Sequence, residues 1–510
     1  MAATSPTDKP TSFFGRPQNI AWLIVGYFIL SVILRLLRSD ALQPDEAEQI
    51  FQSQFLLMGY GRQPPFYNWL QMGMFELMGP SIAALSILKN LLLCLACGFF
   101  GLAARIVLKD REMAAAAMLG VLTMPATIVM VQRDLTHAVA TFCFVALFLL
   151  AFFRTLTRPS LGAYLATGIF VGLGIITKYN FVILPVAAII AALADAEMRK
   201  RIFDWRLAPA LAVAALICLP HMLWVFGNLE TATSGTIEAM REDGSGNALL
   251  DRVEGVLSIA TSALEGAIPT LIFFAIAFPR QIRDVWQAQN RWTRLTGIIL
   301  IASLAIVAVI ALGFGASSIR QKWLAPFLMV FPLYLCLKLD AAGAKAQDGL
   351  PRLAVAVLSV AALFAVYLYA ANALGPRFGK FGKETMPYRA FVARVLADSN
   401  NEHPAIFVSD ATALVGAARI LVPDARAILP GDGSLRNDLP AEPHGMALVI
   451  WTSAVADMAS PTAPSALMKL LATNGQPVAE VPAKTLTVPY QFSDGAKSAT
   501  FGYAWVPALP

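Results

Sequence analysis

Long runs of apolar residues, separated by short polar segments, dominate the chain from residue 20 to residue 374. Runs of about 18 or more apolar residues are long enough to cross a bilayer as helices. The first run is too long for the apolar core of a cleaved signal peptide, so we expect it to remain as a span. We predict about 11 transmembrane helices, near residues 20–37, 81–108, 113–131, 136–153, 161–176, 181–194, 207–226, 256–278, 295–314, 323–338 and 351–374.

The apolar pattern changes in character after residue 374. The segments PAIFVSD and GMALVIWTS are typical of buried strands, and SATFGYAWVP is typical of a final strand. PYRAFVARVLADS and TALVGAARIL repeat apolar residues at helical spacing. We therefore predict a transmembrane domain over residues 1–374 and a small soluble α/β domain over 375–510, in which no sequence signature of catalysis is found.

The composition agrees with a polytopic α-helical membrane protein. Of the 510 residues, 57% are hydrophobic and only 14% are charged, whereas about a quarter are charged in an average soluble domain. The net charge of +6 does not indicate a nucleic-acid partner, because the Lys and Arg residues form short clusters between apolar runs. All five cysteines lie within apolar runs, so we expect buried thiols rather than disulfides.

The basic clusters predict the orientation. They occupy alternate loops, which contain Lys109, Arg154, Arg199, Arg280 and Lys338. Such loops are cytoplasmic by the positive-inside rule, and the N-terminus belongs with them. Arg35 and Arg38 are exceptions at the outer end of the first span. Two long loops, 38–80 and 227–255, and the C-terminal domain are thus expected on the outer face, where acidic residues concentrate.

The first outer loop is rich in acidic and aromatic residues. Asp45 and Glu48 follow Pro44 at the spacing of a capping box, with Asp45 as N-cap and Glu48 at the third helical position. A second break at residues 63–65 begins another amphipathic segment, so we expect two short helices at the membrane surface. From spacing alone, a functional carboxylate and a purely capping role for Asp45 are equally open.

Several other polar residues lie at the outer ends of predicted spans. Asp134 either caps the following helix or takes part in chemistry, with His137 one turn away. Lys178 either snorkels to the interface or contacts an anionic ligand. Arg320 and Lys322 are predicted on the outer side, where the positive-inside rule does not expect basic residues. This position favours binding of a lipid phosphate over a capping role.

A further group of residues is expected to line the substrate site. Lys89 lies within the second span, and snorkelling to the interface explains it almost as well. For His221, a buried ring whose nitrogens are both hydrogen-bonded is the stronger interpretation. The expected lining residues are Tyr60, Tyr67, His137, His221 and Lys89.

Two segments resemble a known family. DEAEQ…GYGRQPPFYNWLQ, directly after the first span, and VGLGIITKYN at 171–180 resemble the GT-C glycosyltransferases. The likeness is to glycosyltransferase family 39, with its protein mannosyltransferases, lipid A aminoarabinose transferases and bacterial lipopolysaccharide galacturonosyltransferases. It extends to about residue 340. It implies a GT-C fold and transfer, with inversion, from a polyprenyl-phosphate sugar at the outer membrane face.

The resemblance also implies roles for residues. Asp45 is at the position of the family's catalytic carboxylate and is expected to be the base that deprotonates the acceptor hydroxyl. Glu46 would orient the loop or bind the acceptor, and Asp134 resembles a second acidic position. The cations expected to bind the donor phosphate are Lys178, Arg320 and Lys322.

We therefore expect a glycosyltransferase of the bacterial inner membrane, with a cytoplasmic N-terminus and a periplasmic C-terminal domain. Its partners would be the polyprenyl-phosphate donor, membrane lipids and an envelope acceptor such as lipid A, another lipid or a glycan. A polyprenyl-linked sugar transporter or flippase is the alternative, although such proteins often contain repeats and none is found here. No cofactor is firmly predicted; a divalent metal on Asp134, His137 and a first-loop carboxylate is the minority hypothesis.

Overall fold

The computed structural model describes residues 12–134, 136–242, 244–399, 403–431, 445–454, 457–458, 460–471 and 480–507. Up to residue 374 the described chain is almost entirely helical, and it then continues into a five-stranded sheet flanked by helices. The α-helices of the first part are α1 (Pro17–Leu37), α2 (Pro44–Gln52), α3 (Phe66–Met78), α4 (Ile82–Val107), α5 (Arg111–Gly120), α6 (Val131–Arg133), α7 (His137–Thr157), α8 (Leu161–Ile175), α9 (Ile183–Leu193), α10 (Ala196–Ile202), α11 (Leu207–Gly227), α12 (Leu229–Arg241), α13 (Ala248–Ala277), α14 (Ile282–Gln287), α15 (Arg291–Phe314), α16 (Gln321–Leu328), α17 (Val330–Ala341) and α18 (Ala346–Leu374).

The predicted spans are present as apolar helices. Among the described residues, eight helices are long and apolar enough to cross a membrane, and a bent pair, Arg111–Thr123 with Ala126–Arg133, makes a ninth. Two shorter apolar helices, Leu161–Ile175 and Tyr179–Leu193, lie where the remaining two spans were predicted. The chain is therefore a multi-pass membrane protein.

The bent pair has a local cause. Its two halves meet at 60°, beside Pro125, which cannot donate a backbone hydrogen bond. A π-helical turn, Ala126–Met130, follows, and such turns often mark functional sites. Asp134 ends this segment, and its N–H donates to the carbonyl oxygen of Met130 at 3.0 Å.

Small residues allow close helix packing in the membrane part. A Cβ atom added to Gly168 on α8 would lie 2.1 Å from the carbonyl oxygen of Ala210 on α11. Only glycine fits at this contact, as is common where membrane helices approach closely.

The loop after the first span, residues 38–80, contains the two expected helices, α2 and α3, but α2 begins differently from the prediction. Gln43 is the N-cap and Pro44 occupies the first helical position, which suits proline because it lacks an N–H. Glu46 is therefore the third helical residue, and its carboxylate accepts a hydrogen bond from the Gln43 N–H at 3.1 Å. The prediction that Asp45 is the N-cap and Glu48 its capping-box partner is therefore wrong. The capping box lies two residues earlier, at Gln43 and Glu46.

The segment 227–255, predicted as a long outer loop, is largely helical. It contains α12 and the first turns of α13, which begins at Ala248 instead of near residue 256. The side chain of Asn247 caps α13 by accepting from the N–H groups of Leu249 and Leu250.

The C-terminal part contains one mixed sheet in the order β2-β1-β3-β5-β4. β1 is parallel to β2 and β3, whereas β5 is antiparallel to β3 and β4. The strands are β1 (Ile406–Ser409), β2 (Arg426–Ile428), β3 (Met446–Trp451), β4 (Lys484–Pro489) and β5 (Ser498–Pro507), with helices α19 (Tyr388–Ala397), α20 (Thr412–Leu421) and a short helix Ser465–Met468. The three predicted strands and two predicted helices are among these elements, whereas β2 and β4 were not predicted.

Candidate active site

A cavity of about 510 Å³ lies where α2, α12 and α16 approach the connection between α8 and α9. This volume is within the range of small-molecule sites. Its polar lining includes Asp45, Glu48, Arg62, Gln63, Thr136, His137, Lys178, Tyr179, Asn180, Glu242, Arg320 and Lys322. Its apolar lining includes Val307 and Ile310 on α15 and Leu324 and Phe327 on α16. The cavity thus has both charged and apolar lining residues.

Asp45 is tied to the segment that precedes α7. Its Oδ2 accepts a hydrogen bond from the Thr136 N–H at 3.0 Å, and its own N–H donates to Oδ1 of Asp134 at 3.1 Å. These two contacts hold the carboxylates of Asp45 and Asp134 close together, although only Asp45 of the two lines the cavity. Burial, and then the negative charge of Asp45, raise the pKa of Asp134 to about 6.

Glu48 is a third carboxylate in this group, and it lies one helical turn after Asp45. It lines the cavity and accepts a hydrogen bond from Nε2 of Gln52 at 2.9 Å. Burial, and then the charge of Asp45, raise the pKa of Glu48 to about 7. The sequence indicated only a capping role for Glu48, although its spacing of three residues from Asp45 on one helix face could have indicated its place in the site.

Glu46 does not line this cavity. It is 2% exposed and forms a two-point ion pair with Arg35, at 2.6 and 3.1 Å. Burial acts to raise the pKa of Glu46, but the charge and hydrogen bonds of Arg35 outweigh it and lower the pKa to about 2. Arg35 is an exception to the positive-inside pattern because it is the buried partner of a first-loop carboxylate.

Lys89 lies behind the Asp45–Asp134 pair, away from the large cavity. It is 4% exposed, and its Nζ is 3.4 Å from the carbonyl oxygen of Asp134. It borders a separate void of about 20 Å³ together with Arg35, Arg38, Glu46, Asn90 and Gln132. Lys89 therefore does not line the large cavity, and a role for it at the substrate site stays a prediction.

Lys178 and Lys322 are neighbouring cations at the cavity. Lys178 precedes the 3₁₀ turn Tyr179–Val182, and Lys322 is in the first turn of α16. Burial, and then the charge of Lys322, lower the pKa of Lys178 to about 8. In the described part of the chain, neither lysine forms an ion pair. Two adjacent cations without an acidic partner are suited to binding an anion.

Arg320 differs from these lysines because it is paired. Its Nη2 donates to Glu242 at 2.5 Å, directly after the end of α12. The same end of α12 is held by Arg241, which donates to the carbonyl oxygen of Phe314, and by the Met240 carbonyl, which accepts from the Ser317 N–H at 2.9 Å. These contacts hold the C-terminal end of α12 at the wall of the cavity. The sequence did not indicate this arrangement.

His137 lines the cavity, but both of its ring nitrogens have protein partners. Nδ1 is 3.2 Å from Oγ1 of Thr136, and Nε2 is 2.8 Å from Oδ1 of Asn68. Tyr67 is fully buried against the His137 ring, with the ring centroids 5.3 Å apart. The minority hypothesis of a metal on His137 is therefore corrected, and the described residues contain no group of three or more His, Cys, Asp or Glu side chains placed to hold a metal ion.

Tyr60 and His221 also lie outside the cavity. The Tyr60 hydroxyl donates to the Phe55 carbonyl and accepts from the Leu57 N–H, so it stabilises the turn between α2 and α3. The His221 ring stacks between Tyr179 and Trp224, with Nδ1 2.6 Å from the carbonyl oxygen of Met58. Of the five predicted lining residues, His137 alone lines the large cavity.

The chain is similar to known glycosyltransferases. Residues 62–224 match the family described as dolichyl-phosphate-mannose-protein mannosyltransferase. The chain is 39% identical to the lipopolysaccharide core galacturonosyltransferase RgtB of Rhizobium johnstonii, over 96% of this chain and 98% of that protein. It is 37% identical to RgtA of the same organism, also named a lipopolysaccharide core galacturonosyltransferase, over 95% of this chain and 96% of that protein.

A solved structure shares the fold. The crystal structure of ArnT from Cupriavidus metallidurans bound to undecaprenyl phosphate superposes with a TM-score of 0.58 at 15% identity, over 85% of this chain and 93% of ArnT. This likeness confirms the predicted GT-C fold.

Proposed function

Because the chain belongs to the family of the lipopolysaccharide core galacturonosyltransferases, we propose that it transfers galacturonic acid from a polyprenyl-phosphate donor to the lipopolysaccharide core. The family makes it a membrane glycosyltransferase with a cell-envelope acceptor. The sugar and the acceptor are proposed from the names of the two relatives. The observation that carries the proposal is a single cavity in which a fixed carboxylate, Asp45, faces the same space as the unpaired cations Lys178 and Lys322.

Asp45 is proposed as the base. Its Oδ2 is held by the Thr136 N–H, which leaves Oδ1 to accept the proton of the acceptor hydroxyl. As that proton moves to Asp45, the acceptor oxygen forms a bond to the anomeric carbon, and the bond between that carbon and the phosphate oxygen breaks. Attack from the side opposite the phosphate inverts the configuration. A base held within hydrogen-bond reach in this way contributes roughly 10²–10⁴-fold to rate.

Lys178 and Lys322 are proposed to bind the departing phosphate. The bond cleavage transfers negative charge to the phosphate oxygens, and two cations already in place stabilise that charge without reorganisation. Arg320 is proposed to hold α12 at the same wall of the cavity through its ion pair with Glu242.

The apolar residues of the cavity wall are proposed to contact the start of the polyprenyl chain. Val307 and Ile310 on α15 and Phe327 on α16 line it, and α15 is one of the apolar helices long enough to span the membrane. A lipid could thus lie against α15 while its phosphate reaches the lysines. We propose, from the positive-inside pattern, that this site is at the periplasmic face of the inner membrane.

The proposal is tested by supplying the purified protein with polyprenyl-phosphate galacturonic acid and lipopolysaccharide that lacks the core modification. Mass spectrometry should find the acceptor heavier by one hexuronic acid residue and free polyprenyl phosphate as the second product. Transport of the donor across vesicles with no glycoside formed would instead support the flippase alternative and would refute the transferase proposal.

A further inference from the structure

The C-terminal domain packs directly on the helix that carries the acidic residues of the site. Helix α20 lies along α2, and the side chains of Leu42, Ala47 and Ile50 form one apolar cluster with Ala413 and Ile420. A Cβ added to Gly416 would lie 2.7 Å from Cδ1 of Leu42 and 3.3 Å from Cα of Ala47. A side chain at residue 416 would displace the end of Leu42 and crowd the backbone of α2, so glycine favours this close approach of α20 to α2.

Arg419 on α20 binds the C-terminal end of α2. It is 6% exposed, and its Nη1 donates to the carbonyl oxygen of Ile50 at 3.0 Å. Its Nη2 donates to the Pro423 carbonyl at 3.1 Å, which fixes the guanidinium plane. Burial lowers the pKa of Arg419 to about 10, so the side chain is still a cation at neutral pH. The last carbonyls of a helix have no partner within the helix, and a cation there also complements the helix dipole.

Gln54 makes a second polar connection just beyond α2. Its side-chain amide accepts from the Ala427 N–H at 2.9 Å and donates to the Ala427 carbonyl at 3.1 Å. Ala427 is in β2, an edge strand of the sheet, so Gln54 satisfies the backbone of an otherwise open edge. The Gln54 side chain thus makes the hydrogen bonds that a neighbouring strand would make, and it joins the first loop to the sheet.

The polar contacts of Arg419 and Gln54 lie at the C-terminal end of α2, whereas Asp45 lies at its N-terminal end. A nine-residue helix is short enough that a shift at its C-terminal end moves its N-terminal end as well. The Asp45 contacts with Thr136 and Asp134 hold only the N-terminal end. The orientation of α2 therefore depends on partners in both the membrane domain and the C-terminal domain.

We propose that Arg419 is a positioning residue for catalysis, through which the C-terminal domain holds α2 and its carboxylate in the orientation needed for transfer. The proposal rests on the proposed function, because it assigns the C-terminal domain a part in the reaction of Asp45. The donor phosphate is bound by residues on other elements, so loss of Arg419 acts on the chemical step and not on donor binding. Misplacement of a reacting group by about 1 Å costs up to roughly 100-fold in rate.

The test uses the full-length protein with Arg419→Gln, Arg419→Lys, Gln54→Leu and, as a matched control, Arg394→Gln, which removes an exposed arginine from α19. We expect R419Q to lower kcat by roughly 10- to 100-fold with the KM for the lipid donor within about twofold of wild type. R419K should recover most of the rate, Q54L should show a smaller fall, and R394Q should resemble wild type. Amide hydrogen exchange should become faster in α2 and stay unchanged in α3.

Three results would overturn the proposal. They are wild-type kcat in folded R419Q, an equal loss in R394Q, and a fall in rate that is fully explained by loss of folded R419Q and Q54L protein. The exchange measurement needs no substrate, so it decides the positioning role even if the wild-type protein does not transfer galacturonic acid. The Asp45→Asn variant, assayed in parallel, tests the base separately.

Discussion

The backbone N–H of Asp45 donates a hydrogen bond to the Asp134 carboxylate at 3.1 Å. Asp45 is the second residue of α2, so this N–H is one of the helix's unpaired donors. Asp134 therefore caps α2 from a distant part of the chain, while the Asp45 carboxylate accepts from Thr136 in return. The segment between α6 and α7 thus fixes the orientation of the proposed base.

Replacement of Asp134 should separate its capping role from its charge. We expect Asp134→Ala to lower kcat by roughly 100-fold, because it leaves the Asp45 N–H without a partner, at a cost of about 1–3 kcal/mol. Asp134→Asn retains an acceptor oxygen and should lose only about tenfold. Asp110→Asn, which changes the N-cap of α5, is the control. Wild-type kcat in the alanine variant would show that the contact has no part in catalysis.

The dependence of the rate on pH should reflect Asp134, Glu48 and Lys178. The pKa of Asp134 is raised to about 6 and that of Glu48 to about 7, so these groups are protonated below those values and kcat should rise between about pH 5 and 8. The pKa of Lys178 is lowered to about 8, so its charge is lost above that pH and the donor KM should rise.

Glu48→Gln provides the check on this pH dependence. Loss of the Glu48 charge should move the acid limb of kcat to lower pH, because one titrating carboxyl is absent and Asp134 has one negative neighbour fewer. The measurement is kcat against pH from 5 to 9 for both proteins. An acid limb near pH 4 in the wild-type protein would contradict the assignment.

The two unpaired lysines should act on donor binding. Lys178→Gln and Lys322→Gln each remove one cation facing the proposed phosphate, and we expect the KM for the lipid donor to rise by about tenfold or more. The KM for the acceptor should change little. Lys200→Gln, which removes an exposed lysine paired with Glu197, should leave both constants unchanged. Unaltered donor affinity in both cavity variants would exclude the phosphate role.

The membrane helices and much of the sheet could be predicted from the sequence. The length of an apolar run and the spacing of its apolar residues depend only on residues close together in the chain. Strands β1, β3 and β5 are marked by dense apolar runs. β2 has only three residues, and β4 is mostly exposed, so neither produces such a signal. The cap of α2 was predictable in principle, since Pro44 at the first helical position makes Gln43 the N-cap.

The rest of the site depends on contacts between distant residues. The Arg35–Glu46 pair and the Asp45–Asp134 contact join separate elements, and no local pattern specifies them. Tyr60 and Tyr67 were expected to line the site, but both are buried outside the large cavity. Tyr67 packs against His137 on α7, a contact between distant residues that no local pattern indicates.

The role of Asp45 as the base is tested most directly by the single-turnover rate of the Asp45→Asn variant with saturating lipid donor. Asparagine keeps the size of the side chain and an acceptor oxygen for the Thr136 N–H, but it cannot take up the acceptor proton. We predict a folded protein with unchanged donor affinity and a rate reduced by roughly 10²–10⁴-fold. A rate within about twofold of wild type would show that Asp45 is not the base.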